Sequence, residues 1–88
     1  MVRELEVLKA DTKSEIERQI ILFNDNKNTF DWVIRSLVDV CEHSSEQAEQ
    51  CALIVHHKGK YAVKSGHWSD LEPRCTALLD RGLSAEIA

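Results

Sequence analysis

Six apolar residues recur at helical spacing in the middle of the chain, and this periodicity decides the structure of that region. They stand at positions i, i+3, i+4, i+7, i+8 and i+11, which form one face of an α-helix. The members of this stripe are Phe30, Val33, Ile34, Leu37, Val38 and Cys41. Asn28 is the predicted N-cap of the helix, because its short side chain can accept a hydrogen bond from an exposed first-turn amide.

A second helix is predicted after a short break at Glu42 and His43. Ser44 and Gln47 form a capping-box pattern, in which each side chain accepts a hydrogen bond from the backbone amide of the other residue. Gly59 ends the helix, because glycine easily adopts the left-handed backbone conformation that closes a helix. Two helices with so short a link are predicted to pack as an antiparallel hairpin.

Three segments are typical of β-strands. Residues 18–23 contain a continuous run of strand-favouring side chains, residues 60–63 form a short strand, and residues 83–87 alternate apolar with polar side chains. The full order is then strand, helix, helix, strand, helix, strand. This order predicts an α/β fold of the α+β kind, a two-layer sandwich in which three helices cover one face of a three-stranded sheet.

The third helix is predicted between the last two strands. Ser69 and Glu72 form its capping box, Pro73 falls in its first turn, and Gly82 ends it. Its predicted buried face consists of Leu71, Cys75, Leu78 and Leu79.

Length and charge restrict the possible functions. A chain of 88 residues is one small domain, which we divide into a mobile N-terminal arm, residues 1–16, and a core domain, residues 17–88. The net charge is −4, and a nucleic-acid binder usually carries the opposite sign or a basic cluster. No apolar run approaches the ~20 residues that span a bilayer, and no export signal is evident. We therefore expect a cytoplasmic protein that binds neither nucleic acid nor membrane.

Enzyme motifs such as the Walker loop, GxGxxG, GxSxG and HExxH are absent from the sequence. The three cysteines, Cys41, Cys51 and Cys75, fall on predicted buried helix faces, where reactive thiolates are not expected. They form no CxxC pair, and the histidines lack the spacing of structural zinc ligands. We therefore expect reduced thiols, no catalytic activity, no metal and no cofactor.

Two polar features call for an explanation. One is the turn from Asn24 to Asn28, which joins a buried strand to an apolar helix, and the other is His56 near the end of the second helix. In an antiparallel hairpin both lie at the same end of the helical layer and border a gap. The predicted floor of this gap is formed by Phe30, Val33, Ala52 and Val55. Either the two features form a binding site, or they only shape a turn and complement a helix dipole.

The segments IILFNDNKNTFDWVIRSLVDV and QCALIVHHKGKYAV closely resemble the ClpS family. The family pattern is a short aliphatic strand, then Asn-Asp-Asp-x-Thr-Pro-Met-Glu-Phe-Val, and further on Val-His-x-x-Gly-Lys. Residues 24–33 and 55–60 correspond to these two motifs. The resemblance implies a non-catalytic adaptor that binds proteins with bulky hydrophobic N-terminal residues, called N-degrons, and delivers them to a Clp AAA+ unfoldase. It also implies docking on the N-terminal domain of a ClpA- or ClpC-type unfoldase, whose pore the arm enters.

The same resemblance implies roles for single residues. The group that binds the substrate's α-amino group is Asn24, Asp25, Asn26 and His56. The pocket for the first side chain is Asn28, Phe30, Val33, Ala52 and Val55. Asn26 replaces an acid of the family, Phe30 replaces a gating methionine, and Ala52 replaces a side chain that is large in many members. The resemblance therefore leaves the preferred first residue open.

A second hypothesis is a non-catalytic protein-interaction domain of the same fold with a different partner. In it the polar turn and His56 are structural. Trp32 lies off the apolar stripe, with Val40 two turns further on, and this second apolar side of the first helix contacts the partner. Peptide binding distinguishes the two hypotheses. Only the adaptor is expected to bind a peptide with a free N-terminus and to stop binding it when that N-terminus is acetylated.

Overall fold

The structure is a computed structural model that describes residues 16–88. Apart from Ile16, the predicted arm lies outside the described residues, and the division into arm and core stays a prediction. The elements are β1 (Arg18–Phe23), α1 (Phe30–Cys41), α2 (Ser45–Lys58), β2 (Lys60–Gly66), α3 (Trp68–Asp80) and β3 (Ser84–Ile87). Every predicted helix and strand is present in the predicted order, although several boundaries differ.

The three strands form one sheet of order β2-β1-β3, and β1 is antiparallel to both neighbours. Ile20 and Leu22 of β1 are buried, whereas Ile21 and Phe23 are half-buried, as the alternation of strand side chains requires. A register shift between Ile20 and Ile21 marks a β-bulge against β2. The α+β sandwich predicted from the order of elements is confirmed.

The core is formed by buried apolar side chains from all three helices, from β1 and β2, and from the link before β3. Its largest fully buried aliphatic side chains are Ile20, Leu22, Leu37, Leu71 and Leu78. The helices also contribute the three cysteines, all of which are free and buried, as expected. Small residues such as Ala48 and Ala52 allow α2 to pack closely in this layer.

The ends of α2 follow the sequence prediction. The backbone N–H of Gln47 donates to Ser44 Oγ at 3.1 Å, and the backbone N–H of Ser44 donates to Gln47 Oε1 at 3.2 Å, which completes the capping box. Gly59 closes the helix with a left-handed φ of 90°. At α1 the N-cap is Thr29, not Asn28, because Thr29 Oγ1 accepts from the backbone N–H of Trp32 at 3.1 Å.

The third helix begins earlier than predicted. His67 is its N-cap and accepts the first helical hydrogen bonds, so Ser69 lies inside α3 and Pro73 lies beyond its first turn. Leu79 is 50% exposed and does not belong to the buried face, which is Leu71, Cys75 and Leu78. The predicted start of α3 was wrong because Ser69 and Glu72 match a capping-box pattern that the structure does not use. The strand β2 continues to Gly66, so only His67 separates it from the helix.

Candidate functional site

A cleft of about 440 Å³ opens where the end of β1, the start of α1 and the end of α2 meet. Its lining residues are Leu22, Phe23, Asn24, Asp25, Asn26, Asn28, Phe30, Val33, Ala52, Val55, His56 and Leu83. All nine residues that the sequence assigned to the site are among them. The structure therefore brings the predicted set together, while the role of each residue stays a prediction.

Backbone hydrogen bonding brings the two halves of the site together. The N–H of Asn24 donates to the carbonyl oxygen of Gly59 at 2.9 Å, which joins the turn after β1 to the end of α2. The N–H of Gly59 in turn donates to the carbonyl oxygen of Val55 at 2.8 Å. Because His56 lies in this last turn of α2, the two bonds hold it at the same end of the layer as Asn24.

Asp25 organises the polar turn. Its Oδ1 accepts from the backbone N–H groups of Lys27 at 2.9 Å and Asn28 at 3.0 Å, the pattern of an Asx turn. Burial acts to raise the pKa of Asp25, but hydrogen bonds from Asn28 and Lys27 outweigh it and hold the pKa below its ordinary value of 3.8. The carboxylate is therefore ionised at neutral pH and places a negative charge at the rim of the cleft.

Asn28 links this turn to a distant part of the chain. Its Nδ2 donates to Asp25 Oδ1 at 3.1 Å and Oδ2 at 2.9 Å, and also to the carbonyl oxygen of Gly82 at 2.9 Å. The side chain is therefore held by the turn and by the distant Gly82, while Thr29, the residue directly before α1, provides the cap. Gly82 adopts a left-handed φ of 88°, and the next residue, Leu83, is 4% exposed and forms part of the cleft wall.

The remaining polar groups at the rim are exposed. Within residues 16–88 the side chains of Asn24, Asn26 and His56 form no hydrogen bond, and the His56 ring meets the His57 ring edge-on at 5.4 Å between centroids. An amide oxygen accepts hydrogen bonds, and so does the unprotonated nitrogen of a neutral imidazole. Together with the Asp25 carboxylate, these groups favour a cationic hydrogen-bond donor.

The floor of the cleft is apolar. Ala52 and Val55 of α2 are 3% and 4% exposed, and Val33 of α1 is half-buried opposite them. Phe30, the first residue of α1, lines the cleft and is 38% exposed. A bulky apolar side chain entering from the polar rim would contact these four residues.

Three lining residues were missed from the sequence: Leu22, Phe23 and Leu83. The two residues of β1 were predictable in principle, because they directly precede the polar turn. Leu83 had no such signal, since it comes to the cleft only through the packing of the link between α3 and β3.

The buried thiols are poorly suited to chemistry. Burial raises the pKa of Cys41 to about 11 and raises the pKa of Cys51 and Cys75 as well, so the thiols are protonated at neutral pH. In the described part of the chain, no three His, Cys, Asp or Glu side chains are placed to hold a metal ion. No helix within residues 16–88 has the length and apolar character to cross a membrane.

The fold and the site define a small α+β domain with an apolar cleft and a rim of hydrogen-bond acceptors. Its family is shown by comparison: the model described as ATP-dependent Clp protease adaptor protein ClpS matches residues 13–86, and the chain belongs to the ClpS family. The resemblance stated from the motifs is thus confirmed. Because this is a family of adaptors and not of enzymes, the expectation of a non-catalytic chain is confirmed as well.

Individual relatives agree with this assignment. The chain is 34% identical over 53 residues to the ATP-dependent Clp protease adapter protein ClpS of Oleidesulfovibrio alaskensis, a match that covers 60% of this chain and 51% of the relative. The match therefore spans about half the length of that relative. The solved structure of Agrobacterium tumefaciens ClpS2 bound to L-phenylalaninamide has the same fold, with a TM-score of 0.79 at 17% identity, over 85% of this chain and 96% of that one.

Proposed function

We propose that this protein is an N-degron adaptor, which binds proteins by a bulky hydrophobic N-terminal residue and delivers them to a Clp AAA+ unfoldase. One observation carries the proposal: a single cleft combines acceptors for an ammonium group with an apolar pocket beside them. Neither half of the cleft suffices alone, because an N-terminal residue carries its charged amino group and its apolar side chain on the same carbon atom.

The charged half of the ligand needs partners. Burying an ammonium group without hydrogen-bond acceptors costs several kcal/mol or more. Asn24 through its side-chain oxygen and His56 through an unprotonated ring nitrogen are the proposed direct acceptors, with Asn26 as a further amide. Asp25 uses its oxygens within the turn, so its contribution is the field of an ionised carboxylate rather than a free acceptor.

The apolar half of the ligand gains from burial. Full burial of a Leu or Phe side chain contributes roughly 1.5–3 kcal/mol. The proposed first residues are Leu, Phe, Tyr and Trp, which lie between Phe30 and Val33 on one side and Ala52 and Val55 on the other. The ligand of the A. tumefaciens relative, phenylalaninamide, carries a free α-amino group next to a benzyl side chain, and this supports the same chemistry here.

Delivery is the second half of the proposal. We assign docking to the N-terminal domain of a ClpA- or ClpC-type unfoldase in the cytoplasm, with the arm of residues 1–16 entering the pore. The proposal is supported by the family, whose description names the Clp protease as the partner.

Binding of a fluorescent peptide with N-terminal Phe tests the proposal. We expect micromolar binding that N-acetylation abolishes, because acetylation removes the charge and two of the donors. His56→Ala removes a hydrogen bond to a charged group, worth about 1.5–3 kcal/mol, so affinity should fall roughly 10- to 100-fold. Asn24→Ala should weaken binding in the same direction.

The neighbouring histidine provides a matched control. His57 is exposed, like His56, but does not line the cleft, so His57→Ala should bind like the wild type. Equal affinity for the free and the acetylated peptide, or equal losses in the two histidine variants, would refute the proposed recognition.

The alternative of an interaction domain that uses Trp32 is less well supported. The indole Nε1 of Trp32 donates to the carbonyl oxygen of Arg81 at 3.0 Å, so this side chain is engaged within the fold.

A further inference from the structure

Two hydrogen bonds join the start of α1 to consecutive carbonyl groups in the link between α3 and β3. Asn28 Nδ2 donates to the Gly82 oxygen at 2.9 Å, and Trp32 Nε1 donates to the Arg81 oxygen at 3.0 Å. The two donors are four residues apart, about one helical turn, and the two acceptors are adjacent in the chain. We call the segment Arg81–Leu83 the closing turn.

The side chain of Arg81 strengthens this attachment. Its guanidinium lies over the Trp32 ring, 5.3 Å from the centroid, and its Nη1 donates to Asp39 Oδ2 at 3.3 Å. Asp39 is further along α1, so both the backbone and the side chain of Arg81 are held by the same helix. The closing turn is thereby fixed in position relative to α1.

The closing turn in turn contacts the cleft in two ways. The Gly82 carbonyl holds the side-chain amide of Asn28, whose nitrogen also binds the carboxylate of Asp25. Leu83 is 4% exposed and forms part of the cleft wall. A displacement of the closing turn would therefore move both the charged rim and one apolar wall.

We propose that Trp32 is a positioning residue of the binding site, although its own side chain lies outside the cleft. It acts through the closing turn on Asn28 and Asp25, and the inference rests on the proposed function for its effect on ligand affinity. Trp32 is the residue that the interaction-domain hypothesis assigned to a separate partner, and here it belongs to the same site as His56.

The test is Trp32→Phe, which removes the N–H donor and keeps a smaller aromatic ring under Arg81. Loss of one such hydrogen bond should weaken binding of the Phe peptide by about two- to tenfold. Trp68→Phe is the matched control, because Trp68 is also exposed, also lies under an arginine, Arg18, and does not line the cleft. We expect wild-type affinity for the control.

A double-mutant cycle with Asn28→Ala separates positioning from a general loss of stability. If Trp32 acts through Asn28, the substitution Trp32→Phe should have little further effect on affinity once Asn28 is alanine. Independent effects predict instead that the two fold-changes multiply. Multiplying losses, or wild-type affinity of Trp32→Phe, would overturn the inference.

Amide hydrogen exchange provides a readout without ligand. The N–H of Gly82 donates to Leu79 at 2.9 Å and that of Leu83 donates to Leu78 at 3.1 Å, and both bonds close the turn. Their exchange should accelerate about two- to tenfold in Trp32→Phe relative to amides of α2, and not in Trp68→Phe. Unchanged exchange rates in Trp32→Phe would refute the positioning role, whether or not a peptide binds. If the wild-type protein does not bind the Phe peptide, only the proposed function is refuted.

Discussion

Replacing Asp25 by asparagine tests whether the polar turn depends on a charge. The carboxylate receives four hydrogen bonds, three at Oδ1 and one at Oδ2. In Asp25→Asn the amide oxygen can keep the three contacts of Oδ1, but as a neutral and weaker acceptor. The new NH₂ group then faces Asn28 Nδ2 at 2.9 Å, where two donors meet and no hydrogen bond is possible.

The magnitude follows from these contacts. A hydrogen bond to a charged group contributes about 1.5–3 kcal/mol, and partial solvent exposure reduces this. We expect the free energy of unfolding to fall by about 1 kcal/mol, which lowers Tm by roughly 4–8 °C in a domain of this size. Urea denaturation at neutral pH, followed by circular dichroism, measures the difference.

The pH dependence gives a second and independent check. The folded-state pKa of Asp25 lies below 3.8, so its stabilising contribution is present above the unfolded value and is lost as pH falls through the folded value. The difference in stability between wild type and Asp25→Asn should therefore narrow below about pH 4. Asp31→Asn is the control, because Asp31 is an exposed carboxylate in the first turn of α1 and takes no part in the hydrogen bonds of the Asp25 turn.

Two results would refute the reasoning about Asp25. One is a variant as stable as the wild type at neutral pH. The other is a loss of stability that persists unchanged in acid, since this would mean that the charge of Asp25 has no part in it.

Two further predictions concern backbone strain and thiol chemistry. Gly82→Ala should lower the free energy of unfolding by about 1–2 kcal/mol, because the φ of 88° at this position is unfavourable for any side chain. Gly66→Ala is the control and should be nearly neutral, because an added Cβ there would make only ordinary contacts at 3.5 Å. Thermal denaturation measures both variants. Equal Tm values for the two variants would contradict this. Cys41, with a pKa raised to about 11 by burial, should react with iodoacetamide only when the protein unfolds, and rapid labelling of the native protein would show that it is accessible.

Local patterns predicted the parts of the fold that depend on local interactions. The stripe of α1 is buried at Leu37 and Cys41, as its period requires, and the capping box at Ser44 forms as predicted. At the first residue of the same stripe the pattern was misleading about burial. Phe30 is 38% exposed because the cleft, rather than the core, lies at that end of the helix.

The errors concern residues whose structure depends on distant contacts. Asn28 matches the N-cap pattern, yet its amide binds Asp25 and Gly82, and a partner so far along the chain leaves no local signal. Leu79 fits the period of α3 but is 50% exposed. Leu83 and the closing turn reach the cleft only through tertiary packing. The sequence therefore predicted most of the residues that line the cleft, but not the wall formed by Leu83.

The position of β1 in the sheet has a mechanical consequence. The strand lies between two antiparallel neighbours, paired with β2 from Arg18 to Phe23 and with β3 from Ile20 to Phe23. A force that pulls Arg18 along the axis of β1 would load both ladders in shear, so that their hydrogen bonds would have to break together and not one at a time. The cleft lies at the opposite end of the same strand, about 17 Å from Arg18 by the rise per residue. Pulling on the start of β1 would therefore load the sheet in shear, while the cleft lies at the far end of the strand.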